Sequence, residues 1–599
     1  MTRTAHRTVL DAALSSLAIK VASTDPTLVP VPLEALAAPR RAAAPLPPAP
    51  SRVGLKVIVQ TGREEEAARW IVDAGGAVLP GGSQVLLAEL PPAALPRLES
   101  CPGIRRAEAP RQLLPRLDQA RGPATGLDAA LATLPLTGAG VVVGVVDSGV
   151  DWRHQDFRNA DGSTRLEFFG HAQMPQGQQV SVFAEFDAKL IDAALNGQGQ
   201  VPQGDPQGHG THCASIAAGN GRASGGQFRG AAPQATLMAV RSEPLLDSHI
   251  IWGIRRMFEL AGDRPAVVSL SLGGHLGPHD GTSAIENVIA RESGPGRIVV
   301  VAAGNEGGDG IHWRGQLVPG QDLVIPIRIA DPNLQYVDVW VPRGDQVDVV
   351  IETPDGVQRA PDGTPVDTVF GVFEAHWQED PINRDQNLTL LIAAGRANHT
   401  WHIRFRPNVV VHGGVHAWGG TVNPSTSAHL FPGVTDSGFS LGMPASEERC
   451  LAVGSFVSRT QFPTGAGDFV ATGLAAGQLS PFSSFGPTRY GSLKPDIAAP
   501  GQYITAALAA GSEMATDPRY VPRHHPSGSY ITIQGTSMAT PFVAGVVALL
   551  LQREPRLTPE DLQQRLRITA RRDGQTGPVW DAGFGFGKLD VQALLAYTG

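Results

Sequence analysis

Three short runs constrain the fold of this chain more than any other feature: Val141-Val-Val-Gly-Val-Val146, Val267-Val-Ser-Leu-Ser-Leu272 and Arg297-Ile-Val-Val-Val-Ala-Ala303. Each is short, rich in β-branched residues and without polar alternation. Strands of that kind are apolar on both faces, which suits the interior of a parallel sheet covered by helices on either side. Helical stretches separate the runs, including Ile250 to Ala261, and more follow near Thr540–Leu551 and Pro559–Ile568. The pattern predicts an α/β domain with a parallel sheet.

The alternation is interrupted between Glu306 and about Phe439. There the helical period disappears, and Leu323–Ile329, Tyr336–Val341, Gln346–Thr353, Leu388–Ile392, Thr400–Phe405 and Val409–Trp418 read as strands. A stretch of this length is far too long for a structureless loop. It predicts an inserted β-sandwich or jelly-roll over residues 306–439, splitting the α/β domain into 117–305 and 440–599. Upstream, residues 24–52 are rich in Pro and Ala and read as an extended linker after a leader, together 1–52. Residues 53–116 form a further unit. Strand periodicity spans Val53–Gln60, and Thr61-Gly-Arg-Glu64 has capping-box spacing for a helix through Ile71 that ends at Gly75-Gly76. Strands at Val85–Leu90 and Ile104–Leu114 flank a short helix from Leu95 to Cys101. This order predicts a small α+β ferredoxin-like domain.

Composition excludes some functions. With 17% charged residues and a net charge of -8, the chain has no basic face for nucleic acid. No apolar run reaches the roughly 18 residues that span a bilayer. The N-terminal stretch Val9–Ala22 is broken by Asp11 and Lys20 and lacks a clean cleavage site. That favours an amphipathic or disordered leader over an export signal, and the cytoplasm slightly over secretion. Three cysteines make no disulfide framework.

Four elements carry candidate chemistry. Asp147-Ser-Gly-Val-Asp151 directly follows a buried strand, where open parallel sheets gather functional groups; Asp147 can orient a histidine, or simply cap a turn. In Gly208-His-Gly-Thr-His212-Cys-Ala-Ser, the glycines flanking His209 let backbone approach a substrate. His209 and His212 could also suggest a metal, but no third ligand stands nearby. Cys213 reads as inert packing or a nucleophile. Ser537, in Gly535-Thr-Ser-Met-Ala-Thr-Pro541, begins an apolar helix whose dipole favours developing negative charge, or is only an N-cap. Asn305, in Ala302-Ala-Gly-Asn-Glu-Gly307, could donate to an oxyanion or sit in a turn.

Together, in the order Asp, His, Asn, Ser, these motifs resemble the subtilisin-like serine protease (subtilase) family. Arg153-His-Gln-Asp-Phe157, Gly230-Ala-Ala-Pro233 and Lys494-Pro-Asp-Ile-Ala-Ala-Pro-Gly501 extend the match, so that it covers about Gly138 to Ala593 apart from the insert. The resemblance implies a serine endopeptidase with Asp147, His209 and Ser537 as catalytic triad and Asn305 in the oxyanion hole. It implies that Ser269-Leu270-Ser271-Leu272-Gly273-Gly274 pairs with substrate backbone. It also implies that Ala302, Ala303 and Gly304 wall a roomy pocket for the residue before the cut, with no acidic residue and so an apolar preference. Residues 53–116 would be a prodomain that chaperones and inhibits the enzyme, with Gln112-Leu-Leu114 in the cleft before self-cleavage. The insert resembles the jelly-roll of clostridial-type germination subtilases.

Catalysis of this type requires no cofactor. The family's calcium loop follows the histidine helix, but here Asn220–Arg229 carries no carboxylate, so a calcium site there is not supported. Partners implied are a polypeptide substrate and the chain's own prodomain. A rival reading is a catalytically silent pseudoprotease that binds partners through the insert. Such proteins commonly lose a triad member, and here all three are present.

Overall fold

In a computed structural model, which describes residues 55–82, 85–108, 118–175, 181–330, 334–421, 430–433, 437–464, 468–471 and 473–598, the chain divides into two compact units, Met1–Leu114 and Pro115–Gly599. The leader, the Pro/Ala-rich linker and Gln112–Leu114 lie outside the described residues.

The first unit runs β1 (Leu55–Thr61), α1 (Glu64–Asp73), β2 (Ala77–Gly82), β3 (Val85–Leu90), a 3-10 helix (Pro92–Ser100) and β4 (Ile104–Glu108). All pairs are antiparallel, in the order β2-β3-β1-β4. Ala67 and Ile71 of α1 pack on Leu86, Ala88 and Leu90. The Thr61–Glu64 capping box does not form. Thr61 ends β1, and Arg63 occupies the N-cap, where its side chain does not cap the helix.

In the second unit the apolar runs become interior strands of one eight-stranded sheet. Its strands are β5 (Val142–Asp147), β6 (Leu166–Gln173), β7 (Val182–Asp187), β8 (Thr236–Glu243), β9 (Ala266–Leu270), β10 (Arg297–Ala302), and, after the interruption, β21 (Leu451–Phe456) and β22 (Ile497–Pro500). The order is β22-β21-β10-β9-β5-β8-β6-β7, parallel throughout except for the antiparallel edge strand β7. Helices α2 (His209–Ala218) and α5 (Thr536–Arg553) cover one face, and α3 (Asp247–Ala261) and α4 (Ala284–Glu292) the other. The α5 segment is long and apolar enough to cross a membrane by composition, yet 89% of it is buried, so its hydrophobicity is that of a core helix.

The interruption contains two antiparallel sheets that share a core. Its strands are β11 (His312–Gln316), β12 (Leu323–Ile329), β13 (Leu334–Val341), β14 (Gln346–Glu352), β15 (Gln358–Arg359), β16 (Val366–Thr368), β17 (Gly371–Glu379), β18 (Gln386–Ala394), β19 (His399–Val409) and β20 (Gly414–Thr421). The sheets are ordered β11-β20-β13-β18-β17-β16 and β12-β19-β14-β15. Val337, Val339, Leu388 and Leu390 of the first meet Ile325, Ile327, Trp401 and Ile403 of the second, as alternation along sandwich strands requires. The sequence reading runs Val409 into the last strand. In the structure Val409 instead ends β19, and Gly413, at φ +76, turns the chain before β20.

A three-charge cluster lies where this region meets the α/β part. The guanidinium of Arg489 pairs with Asp280 at 2.7 Å and with Asp385, from the β17–β18 connection, at 2.6 Å. It also donates to the Pro278 carbonyl at 2.6 Å.

Candidate active site

Asp147 is the last residue of β5, and His209 the first of α2. His209 Nδ1 donates to Asp147 Oδ1 at 2.8 Å, and the Ser148 amide donates to the same oxygen at 2.7 Å. Asp147 is buried, while His209 is partly open to solvent. Burial pushes the His209 imidazole down, but the charge and hydrogen bond of Asp147, with a contribution from Cys213, together outweigh it and hold the pKa well above the ordinary value.

The glycines around His209 serve the fold rather than substrate approach. Gly208 caps α2 at φ +101, and a Cβ on Gly210 would lie 2.1 Å from the Gly149 carbonyl and 2.9 Å from Asp147 Cβ. Only glycine brings the helix that close to the Asp147 loop. A residue the sequence reading missed, Asp205, ties the two together. Its Oδ1 accepts from Ser148 Oγ at 2.9 Å and Gly208 N at 2.7 Å; its Oδ2 accepts from Thr211 N at 2.8 Å and Thr211 Oγ1 at 2.6 Å. The signal available was a lone Asp before the histidine motif, which does not distinguish a buried cap from a surface turn.

Ser537 lies in the first turn of α5, and Pro541 follows within the same helix. Pro541 has no N–H, so the Ser537 carbonyl is without its intrahelical partner. That carbonyl instead accepts from Ser271 Oγ at 2.9 Å and the Cys213 thiol at 3.3 Å. Ser537 Oγ donates to the Ser271 carbonyl at 3.3 Å. Burial pushes the Cys213 thiol above its ordinary pKa, so it is a thiol donor and packing group, not a thiolate nucleophile.

Asn305 follows β10 in an exposed turn. Its Oδ1 accepts from Thr536 N at 2.8 Å and Thr536 Oγ1 at 3.1 Å, which leaves the amide N–H groups as outward donors. Glu306 reaches back so that its Oε2 accepts from the Asn305 backbone N–H at 2.6 Å and from Ser484 Oγ at 3.1 Å. Gly304, at φ +115, permits this turn: a Cβ there would lie 2.6 Å from both Glu306 Oε2 and Ser484 Oγ. Gly304→Ala should therefore cost about 1–3 kcal/mol of stability in strain and lower the turnover of any reaction that uses Asn305. Thermal unfolding and turnover measured on one preparation check this, and parental values for both would refute it.

Two predicted surfaces are corrected. Ser269 and Leu270 are fully buried in β9, where Ser269 already pairs with Val145 and Val300 and Leu270 with Val301, so they are interior rather than edge positions; Ser271 is buried against Ser537. Leu272 is half-buried and Gly273 and Gly274 are exposed. Gly274 is paired on one side with Met443, N to O at 3.1 Å and O to N at 2.9 Å. On the pocket wall, Ala302 and Ala303 are buried, and the Ala303 amide and carbonyl bond to Val453 and Gly442. Only Gly304 approaches the surface. The Glu306 carboxylate lies beside Gly304, turned onto the Asn305 backbone amide and Ser484. Consecutive residues in a turn can face one wall, which strand alternation does not anticipate.

His212 is not a partner of His209. Its Nε2 meets the Ile531 carbonyl at 3.1 Å, and burial lowers its pKa to about 3. Among the described residues, the donor atoms of Asp147, His209 and Cys213 have metal-like spacing, within 4.8 Å of one another. Asp147 Oδ1 and His209 Nδ1, however, are spent on each other.

A parallel, helix-covered sheet with these groups at its carboxyl edge has the architecture of the subtilisin-like α/β proteins. The chain belongs to the subtilase family, whose model matches residues 138–328 and 392–587. The break between the two matches falls within the two extra sheets. The chain is 26% identical over 474 residues to the minor extracellular protease Vpr of Bacillus subtilis, covering 76% of this chain and 52% of Vpr. It is 24% identical over 491 residues to the serine protease AprX of the same organism, covering 80% of this chain and 72% of AprX. The chain thus spans about half the length of Vpr. Among solved structures, the CspB protease of Clostridium perfringens shares the fold, with a TM-score of 0.64 at 24% identity, covering 80% of this chain and 96% of that one.

Proposed function

We propose that this chain is a serine endopeptidase acting on extended or unfolded polypeptides, made as a self-processing zymogen with residues 53–116 as its prodomain and 306–439 as an inserted β domain. The observation that carries the reading is the 2.8 Å bond from His209 to buried Asp147, with Ser537 in the first turn of α5 and the Asn305 amide locked by Thr536.

Ser537 Oγ attacks the scissile carbonyl and its proton passes to His209 Nε2. The tetrahedral oxyanion is held by Asn305 Nδ2 and the Ser537 amide. The protonated His209 then gives that proton to the leaving amine, the carbonyl re-forms as the peptide C–N bond breaks to leave an acyl-serine ester, and water repeats the sequence to release the acid. Ser537 Oγ must first turn from the Ser271 carbonyl toward His209, as is common for catalytic bonds in unliganded sites. The outward side of Leu272–Gly274 offers backbone groups for a substrate strand, which selects extended chain.

Purified protein should hydrolyse unfolded casein, and Ser537→Ala should neither hydrolyse it nor process itself. Casein cleavage by Ser537→Ala at the parental rate would sink the assignment.

The loop 220–229 is proposed to need no calcium. Arg165 already donates to the carbonyls of Asp156 (2.9 Å), Ala218 (2.8 Å), Pro233 (2.7 Å) and Ala235 (3.1 Å). Asp156 Oδ1 accepts from Ala223 N at 3.1 Å and Tyr530 OH at 2.8 Å. A fixed guanidinium and protein donors thus occupy the oxygens that a cation would use. Chelator should leave the melting temperature unchanged; a rise on adding calcium would show linked binding and contradict this.

A further inference from the structure

Buried His275, His279 and His312, with half-buried His416, form a group that the proposed reaction does not use. His275 and His279 lie just beyond the Leu272–Gly274 edge. His312 and His416 belong to β11 and β20, and meet Nε2 to Nδ1 at 2.9 Å. A continuous stack links the two regions. The His275 and His279 rings are 5.4 Å apart with planes 11° from parallel, and His279 lies 4.0 Å from Trp418 of β20 at 6°. His279 is pinned by the Leu441 carbonyl at 3.0 Å and the His275 carbonyl at 3.2 Å. Trp418 Nε1 donates to the Phe439 carbonyl at 2.8 Å.

The other end of the stack reaches Asn305. His275 Nε2 lies 3.4 Å from Glu306 Oε2, the oxygen that also accepts from the Asn305 amide and Ser484 Oγ. His275 Nδ1 is buried without a hydrogen-bond partner among the described residues. A buried orphan acceptor costs less than a buried orphan N–H, so the proton belongs on Nε2 and is donated to Glu306. Burial pushes the Glu306 carboxyl up, but His275 and the other donors outweigh it and keep it ionised. Glu306 is about one-third exposed, so without His275 its carboxylate is free to rotate into water and release the Asn305 backbone.

We propose that His275 is a positioning residue: it holds Glu306 on the Asn305 backbone and, through the His279–Trp418 stack, ties the oxyanion asparagine to the β11–β20 sheets. This rests on the reading of Asn305 as oxyanion donor. The inserted sheets thereby act on turnover through a defined contact, without touching substrate.

The test is a double-mutant cycle in the full chain, reading kcat and KM on one peptide substrate. Asn305→Ala should lower kcat on the order of 100–1000-fold. His275→Leu should lower kcat about 10-fold with KM unchanged, a coupling within the range for neighbouring groups. His275→Gln, whose amide can still donate to Glu306, should restore kcat to near parental. In the Asn305→Ala background, His275→Leu should have no further effect. The same 10-fold loss in both backgrounds, or parental kcat for His275→Leu, would overturn the proposal. If Asn305→Ala alone leaves kcat unchanged, the oxyanion reading fails and this inference with it; an additive His275 effect beside a large Asn305 effect overturns the inference alone. Should His275→Leu not fold, Glu306→Ala, which removes the acceptor of the Asn305 backbone amide, completes the same cycle with the same expectations.

Discussion

Asp147→Asn should lower kcat on the order of 10⁴-fold while leaving the protein folded. The side chain keeps its shape, and its oxygen can still accept from the Ser148 amide that now donates at 2.7 Å. What disappears is the charge that stabilises His209 once it has taken the Ser537 proton. Burial depresses the imidazole pKa; the Asp147 charge and hydrogen bond, together with Cys213, more than compensate, so the variant loses the largest raising influence. The rate needs neutral His209. In the parent, kcat/KM therefore rises through a pKa above the ordinary histidine value of about 6.5; in Asp147→Asn that limb moves to lower pH. Stability changes in the opposite sense. A raised folded-state pKa contributes stability that is fully present below the unfolded value and is lost as pH rises through the raised one. Asp147→Asn should lose that contribution, mostly at low pH. A pH–rate profile of both proteins checks the pair, and an unmoved limb would show that Asp147 does not set the His209 charge.

The largest stability effect is expected at Arg489. Its side chain is 2% exposed, and its two partners Asp280 and Asp385 are 1% and 0% exposed. Asp280 also accepts from Asn383 Nδ2 at 2.8 Å, and Asp385 from the Arg343 amide at 2.9 Å and Tyr490 OH at 2.6 Å. Arg489→Leu leaves two buried carboxylates facing each other without a cation, which should cost about 3–5 kcal/mol. Adding Asp280→Asn and Asp385→Asn removes the uncompensated charges and should recover much of that loss. Denaturant unfolding of the parent, single and triple variants measures both steps. A loss under about 1 kcal/mol for Arg489→Leu would mean that the cluster is solvated, like a surface pair.

The parts of the site that are local in sequence were legible there. The run Val141–Val146 announces a doubly buried strand, and Asp147 sits at its carboxyl end because parallel strands deliver residues to that edge. Ser537 was readable for a similar reason, opening a helix of almost unbroken apolar sequence. Most strands of the extra sheets alternate cleanly, and Leu323–Ile329 was predicted with its observed ends. What failed was tertiary. Ala77–Gly82 is a strand although Pro80, Gly81 and Gly82 have low strand propensity, because pairing with β3 overrides it. Gly371–Glu379 was passed over although Phe373 and Ala375 face the core, since its other face carries Glu374, His376 and Gln378. Glu306 against Gly304, Asp205 across Ser148 and Thr211, and His275 beside Glu306 depend on chain folding back. No local pattern marks a carboxylate that turns toward its own preceding amide.

The central claim is that Ser537 is an activated nucleophile. A fluorophosphonate probe on the full chain, followed by peptide mapping of the labelled residue, tests it most directly. The account predicts a single adduct on Ser537, lost in Ser537→Ala and strongly slowed in His209→Ala. An unlabelled parent that nonetheless hydrolyses casein, or labelling that persists in Ser537→Ala, would contradict it.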